Sequence, residues 1–192
     1  MRHYHKTQRA QSELKTRERI VEATVELHGS VGPAKTTISE IAKRAGVQRL
    51  TVYRHFPTEK ALFAACSGHY MAQNPLPDLA EFAAMPDPGK RLKAALNALY
   101  AYFRRNQAML ALVLRDAATV PAMKSSMQAI ERFFRELHAV LMANRQGARE
   151  KTKHATALIA LAISFHTWQE LNKAGLSDEE AASLMAQAVE RG

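Results

Sequence analysis

Between Ser12 and His28 the apolar residues Leu14, Ile20, Ala23, Val25 and Leu27 alternate with polar stretches that include Glu13, Arg17, Glu18 and Glu22. This near-helical recurrence predicts an amphipathic helix, ended by Gly29, Gly32 and Pro33. A second helix is expected from Thr37, where Thr36 or Thr37 can cap the first backbone N–H groups and Glu40 completes a capping box. It stops at Ala45-Gly46. A third, short helix covers about Arg49 to His55 and ends at Phe56-Pro57. Thr58 can cap a fourth, running through Lys60 and Phe63 towards Met71. The stretch Asn74-Pro75-Leu76-Pro77-Asp78, with Pro86 to Gly89 after it, is the richest turn region in the chain and marks a boundary. Beyond it lie amphipathic segments near 89–105, 107–117, 121–144, 149–174 and 177–190. Pro121 falls in a first turn, Gly147 and Gly175 follow helix ends, and Ser177 with Glu180 makes another capping box. No strand-like alternation occurs, so the chain reads as all-α.

Charge adds a direction to this pattern. The net charge is +9, and residues 1–60 hold 12 Lys and Arg against 6 Asp and Glu. Most of the excess positive charge is thus concentrated in the first third, which favours a polyanionic partner there. The single cysteine, Cys66, rules out an internal disulfide framework and suits a reducing cytoplasm. No apolar run approaches about 20 residues, so no membrane span is expected. The start, MRHYHKTQRA, does not read as a secretory signal.

The segment 37–56 carries the most specific chemistry. Two short helices crossing at a tight turn need a small residue at the crossing, a turn residue tolerant of positive φ, and an apolar anchor on the second helix. Ala42, Gly46 and Val52 supply these, helped by Ile38, Ile41, Val47 and Phe56. Gln48, Arg49, Thr51, Tyr53, Arg54 and His55 are then left largely outward. A helix facing only solvent would be expected to carry Glu and Lys, yet this one has no acid. Such a surface suits a DNA major groove.

The run Thr36-Thr37-Ile38 … Ile41-Ala42 … Ala45-Gly46-Val47 … Tyr53-Arg54-His55-Phe56-Pro57 … Leu62-Phe63 resembles the TetR family of transcriptional regulators. The resemblance is strong over about residues 12–70. It is looser from Trp168 to Ala182, which looks like the family's last two helices. It implies an all-α fold with an N-terminal three-helix helix-turn-helix DNA-binding domain, followed by a C-terminal helical ligand-binding and dimerisation domain. The corresponding segments are 1–11 as a flexible basic arm, 12–58 and 59–192. Carried over by position, Thr37, Tyr53 and His55 would meet phosphates. Gln48, Arg49 and Thr51 would face base edges, with Arg49 the candidate for a bidentate guanine contact, and Arg54 would read or neutralise. Two positions depart from the family pattern. Leu50 replaces a common glycine and would touch a thymine methyl or change the approach angle. Glu59 stands where a phosphate-binding lysine is common, with Lys60 one place later. Arg2, Lys6 and Arg9 in the arm would track a minor groove or form a solvated tail.

The remainder is less specific. Met109, Phe134, His138, Phe165 and His166 are candidates to line a cavity for a small-molecule effector, with ordinary core packing as the alternative reading. Leu158, Ala162, Phe165, Trp168, Leu184, Met185 and Ala188 are candidates for a homodimer interface built as a four-helix bundle. No cofactor is expected. His3 and His5 lie in the arm, no His-Glu-x-x-His pair occurs, and there is neither a glycine-rich phosphate loop nor a nucleophile elbow, so an enzyme is not expected. The expected function is a repressor released from a palindromic operator by a small molecule. The alternative is a DNA-binding regulator whose helical domain receives a protein.

Overall fold

The computed structural model describes residues 2–145 and 149–191, and within them not the side chains of 2–7, 9 and 149–151. Its helices are α1 (Arg2–Ser30), α2 (Ile38–Ala45), α3 (Arg49–His55), α4 (Glu59–Gln73), α5 (Leu79–Ala83), α6 (Pro88–Asp116), α7 (Lys124–Met142), α8 (Arg149–Ala162), α9 (Phe165–Lys173) and α10 (Asp178–Arg191). Short 3-10 turns at Pro33–Lys35 and Pro121–Met123 precede α2 and α7. No strand occurs among the described residues. No helix among them is long and apolar enough to cross a membrane.

The chain forms two compact units. The first comprises residues 1–75 and 108–128, the second residues 76–107 and 129–192. The first unit therefore does not end at residue 58, because α4 packs back on α1. Its core gathers Ile20, Val21, Ala23 and Leu27 of α1, Ile41, Ala42 and Ala45 of α2, Val52 and Phe56, and Leu62 and Cys66 of α4. Leu14, expected in the α1 stripe, is 61% exposed. It lies two helical turns before Val21 on the same side of α1, but N-terminal to Ile20, the first buried residue among the described side chains of that helix. Thr24 takes a buried place instead, and its hydroxyl donates to the Ile20 carbonyl at 2.7 Å. Beside it His28, also buried, stacks on Phe63 with ring centroids 4.9 Å apart.

The expected unstructured arm is helical backbone, continuous with α1 from Arg2. No glycine or proline interrupts residues 2–28, so propagation adds a hydrogen bond for each residue ordered. The suggested minor-groove role of Arg2, Lys6 and Arg9 falls on side chains outside those described.

In the second unit α6 buries Leu92, Ala95, Leu96, Leu99, Tyr100 and Phe103. The two segments expected at 89–105 and 107–117 are one helix. Asn106 does not break it, because its side-chain amide donates back to the Tyr102 carbonyl at 2.8 Å. The helix expected over 149–174 is instead two, α8 and α9, with Ile163 and Ser164 between them. The Tyr100 hydroxyl donates to the Ala162 carbonyl at 2.8 Å, satisfying an acceptor that the break exposes. Trp168 then turns inward to complete a ring cluster, at centroid distances of 5.8 Å from Phe103 and 5.5 Å from Phe165. Arg91 is 2% exposed and is held by the carbonyls of Met85, Val140 and Ala143. The turn region expected near 74–89 contains the single turn α5, capped by Asp78 and anchored by buried Phe82. After α7 the chain turns at Asn144, with φ 62°; Gly147, the expected terminator, lies outside the described residues. Gly175 follows α9 with φ 91°, and the Ser177–Glu180 capping box opens α10 as expected.

Candidate nucleic-acid interface

The sequence Thr37 to Glu40 starts α2 with a reciprocal cap. The Glu40 amide donates to Thr37 Oγ1 at 3.2 Å, and the Thr37 amide donates to Glu40 Oε2 at 3.0 Å. The helix ends at Gly46 in the left-handed conformation, φ 64° and ψ 41°, and the Val47 amide closes on the Ala42 carbonyl at 2.9 Å. A side chain bearing Cβ would cost about 1–2 kcal/mol there, which glycine avoids. The reversal brings α3 across α2, with Val52 wholly buried and Ala42 3% exposed. Phe56 closes the corner from beyond the end of α3, and the Arg17 guanidinium of α1 lies 4.7 Å from its ring centroid. Outside this core, Arg44 of α2 pairs with Glu26 of α1 at 2.8 Å. Both partners are more than half exposed, so the pair orients more than it stabilises.

With Val52 and Phe56 inward, α3 turns its other side to solvent. Gln48, Arg49, Leu50, Tyr53 and Arg54 are exposed, while Thr51 and His55 are half-buried. Leu50 is 66% exposed, a large apolar side chain without burial on an otherwise hydrogen-bonding face. Arg54 donates to Thr51 Oγ1 at 3.1 Å, which directs its guanidinium back along the helix. Gln48 precedes α3 as its cap residue, and its side chain makes no capping bond. The arrangement displays donors, an apolar group and positive charge on one face of a short helix.

Two expected phosphate positions carry acid. The Thr37 hydroxyl donates to Glu40 Oε2 at 2.8 Å while accepting the Glu40 amide. These bonds from Thr37 hold the Glu40 carboxyl below its usual pKa range. A carboxylate thus already occupies the start of α2, and an arriving phosphate would meet the amides of Ile38 and Ser39, which have no intrahelical acceptor. The capping role of Glu40 was apparent from its spacing, but its competition with a phosphate was not. At α4, Thr58 caps by accepting the Ala61 amide at 3.1 Å, Glu59 occupies the first turn, and Lys60 is exposed beside it.

The other candidates scatter. Met109 belongs to the first unit, with its Cε 3.3 Å from where a Cβ on Gly29 would stand. Phe134 and His138 are half-buried in the second unit, and the Thr156 carbonyl lies 3.0 Å from His138 Nε2. Phe165 is buried in the ring cluster, whereas His166, the next residue on α9, faces solvent and lines no interior space. Of the dimer candidates, Ala162, Phe165 and Trp168 are buried within the subunit's own core, where another copy cannot reach them. Met185 is 9% exposed, and Leu158 and Ala188 are half-buried. The outer faces of α8 and α10, which pack against each other, instead expose Leu161 at 54% and Leu184 at 47%. Leu161 was not among the sequence candidates, although it follows Leu158 and Ala157 at helical spacing.

Residues 20–66, which span this helix-turn-helix, match the family model for bacterial regulatory proteins, tetR family. Over this stretch the chain is therefore similar to the TetR family's N-terminal module. The HTH-type transcriptional regulator YerO of Bacillus subtilis (strain 168) is 30% identical over 102 residues, covering 52% of this chain and 35% of that protein. The chain thus spans about a third of the length of that curated relative. A TetR-like transcriptional regulator from Rhodococcus sp. RHA1 is similar in structure, with a TM-score of 0.63 at 18% identity, covering 92% of this chain and 94% of that one. NalD, the secondary repressor of the MexAB-OprM multidrug efflux pump in Pseudomonas aeruginosa, has a TM-score of 0.63 at 20% identity, with 95% and 97% covered. At these identities the two structures establish the TetR-like fold of this chain. Members with this module are transcriptional regulators rather than enzymes.

Proposed function

We propose that the protein is a repressor that binds a palindromic DNA operator as a homodimer and is released by a small-molecule effector. The observation that carries this reading is the outer face of α3, which shows Gln48, Arg49, Leu50, Thr51 and Arg54 over a wholly buried Val52. A helix of this size enters the major groove with its N-terminal residues at the base edges. Arg49 pairs with a guanine there, Gln48 and Thr51 meet neighbouring bases, and Leu50 covers a thymine methyl. Tyr53, His55 and Lys60 contact phosphates, with the start of α2 at Thr37 as a further phosphate position. The protein works on cytoplasmic DNA.

Two half-sites require two copies. The exposed Leu161 and Leu184, with Leu158 and Ala188 beside them on α8 and α10, suit a twofold four-helix contact. Release follows if an effector prefers a dimer arrangement in which the two α3 helices no longer match one duplex turn. Phe134 and His138 on α7, with Phe165, are the positions proposed to face the effector. A second reading, with a protein in place of a small molecule, draws support from the rings of Phe103, Phe134 and Phe165 being packed on one another at 5.4–6.4 Å.

Selection from a pool of random duplexes tests the DNA reading. Recovery of an inverted repeat with half-site centres about one helical turn apart is expected. A pool that stays unenriched after repeated selection would count against it.

A further inference from the structure

Residues 31–36 lead from the end of α1 to the cap of α2, and a carboxylate far along the chain holds them. Asp116, the last residue of α6, is 4% exposed and accepts the Ala34 amide at Oδ2 over 2.9 Å. Arg115 grips the same carboxylate from Nε at 2.7 Å and Nη2 at 3.0 Å. Its Nη2 also donates to the Val31 carbonyl at 3.1 Å. Gly32 lies between the two held residues with φ 94°. A Cβ at that position would collide with the Arg115 guanidinium and lie 2.6 Å from Asp116 Oδ2. The Thr36 hydroxyl then donates to the Gly32 carbonyl at 2.9 Å, and the next residue is Thr37, the cap of α2. Further up α6, Met109 meets α1 at Gly29.

These contacts form a clasp on the turn that sets where α2 begins. Ala42 of α2 and Val52 of α3 share one core, so the placement of α2 bears on that of α3. Hydrogen bonds to base edges weaken steeply with misalignment, whereas lysine and arginine contacts to phosphates tolerate it. Because Asp116 is buried and its charge is met by Arg115, it does not act by repelling the duplex.

We propose that Asp116 is a positioning residue for operator binding, fixing the turn before α2 through the Ala34 amide with Arg115 as its brace. This rests on the DNA-binding reading above. The test measures, in the full chain, affinity for the selected operator and for a random duplex, together with hydrogen exchange of the Ala34 amide. Asp116→Ala removes the acceptor. Arg115→Gln removes the brace at a residue whose side chain is 47% exposed, leaving the core intact. Both variants should speed Ala34 exchange and weaken operator binding, about tenfold for Asp116→Ala and several-fold for Arg115→Gln. Binding to random duplex should hold. Asp116→Asn, which keeps an acceptor for Ala34, should restore most of the operator affinity. Unchanged exchange, unchanged operator affinity despite faster exchange, or equal losses on both duplexes would each overturn the assignment. If Asp116→Ala does not fold, Arg115→Gln and Asp116→Asn carry the same comparison. A wild-type chain with no preferred sequence would overturn the DNA reading instead, before any variant is made.

Discussion

His28 shows how burial in the first unit is coupled to pH. Burial pushes its pKa down from 6.5 to about 4, with the Asp116 carboxylate pulling the other way. The folded chain keeps this imidazole neutral while the unfolded chain protonates it below about pH 6.5. Stability from this group is therefore complete above that pH and is lost as pH falls towards about 4. From pH 7.5 to pH 5 the loss should be about 2 kcal/mol. Denaturant titrations at the two pH values check this, with His28→Leu expected to show a smaller difference by that amount. An equal difference in both proteins would mean that His28 is not the group responsible. The same residue marks a limit of sequence reading. A histidine at the end of an amphipathic helix looks solvated, and its stacking on Phe63 comes from α4, outside the local pattern.

At the scale of elements, local punctuation decided what could be read in advance. The start of α2 at the Thr37–Glu40 cap, its stop at Gly46 and the end of α3 before Pro57 all depend on neighbours within a few residues, and they stand as expected. The break between α8 and α9 does not depend on neighbours in that way. Ile163-Ser164 contains no glycine or proline, and the partner that satisfies Ala162 is Tyr100, on α6. The hold of Asp116 on Ala34 is likewise invisible to local spacing. Tyr100→Phe keeps the ring but leaves the Ala162 carbonyl unmet in a buried place, and should cost about 1–3 kcal/mol in denaturant unfolding. A loss near zero would show that the α8–α9 break stands without that bond.

For the whole molecule, the unread part was which apolar faces meet their own subunit and which meet another copy. Ala162, Phe165 and Trp168 have the small and aromatic character of an interface, but the subunit's own core takes them. Periodicity identifies an apolar face without identifying what covers it. The proposed dimer contact instead uses the exposed pair Leu161 and Leu184. Leu161→Glu combined with Leu184→Glu should yield a monomer at micromolar concentration in analytical ultracentrifugation, with helical content retained. A dimer that survives both charges would place the interface elsewhere. The charge asymmetry fits the proposed DNA contact, since residues 1–60 carry α2, α3 and most of the excess positive charge.

All of the DNA reading depends on Arg49 standing outward at the start of α3. The most direct measurement is a cycle between Arg49→Ala and replacement of the guanine assigned to it in each operator half-site. Wild type should lose about 1–3 kcal/mol on the base change, and Arg49→Ala should be indifferent to it. Tyr53→Phe should weaken every duplex alike and leave the base preference unchanged. If Arg49→Ala keeps the wild-type preference for that base, or loses equally on operator and random DNA, then α3 does not read sequence through this residue.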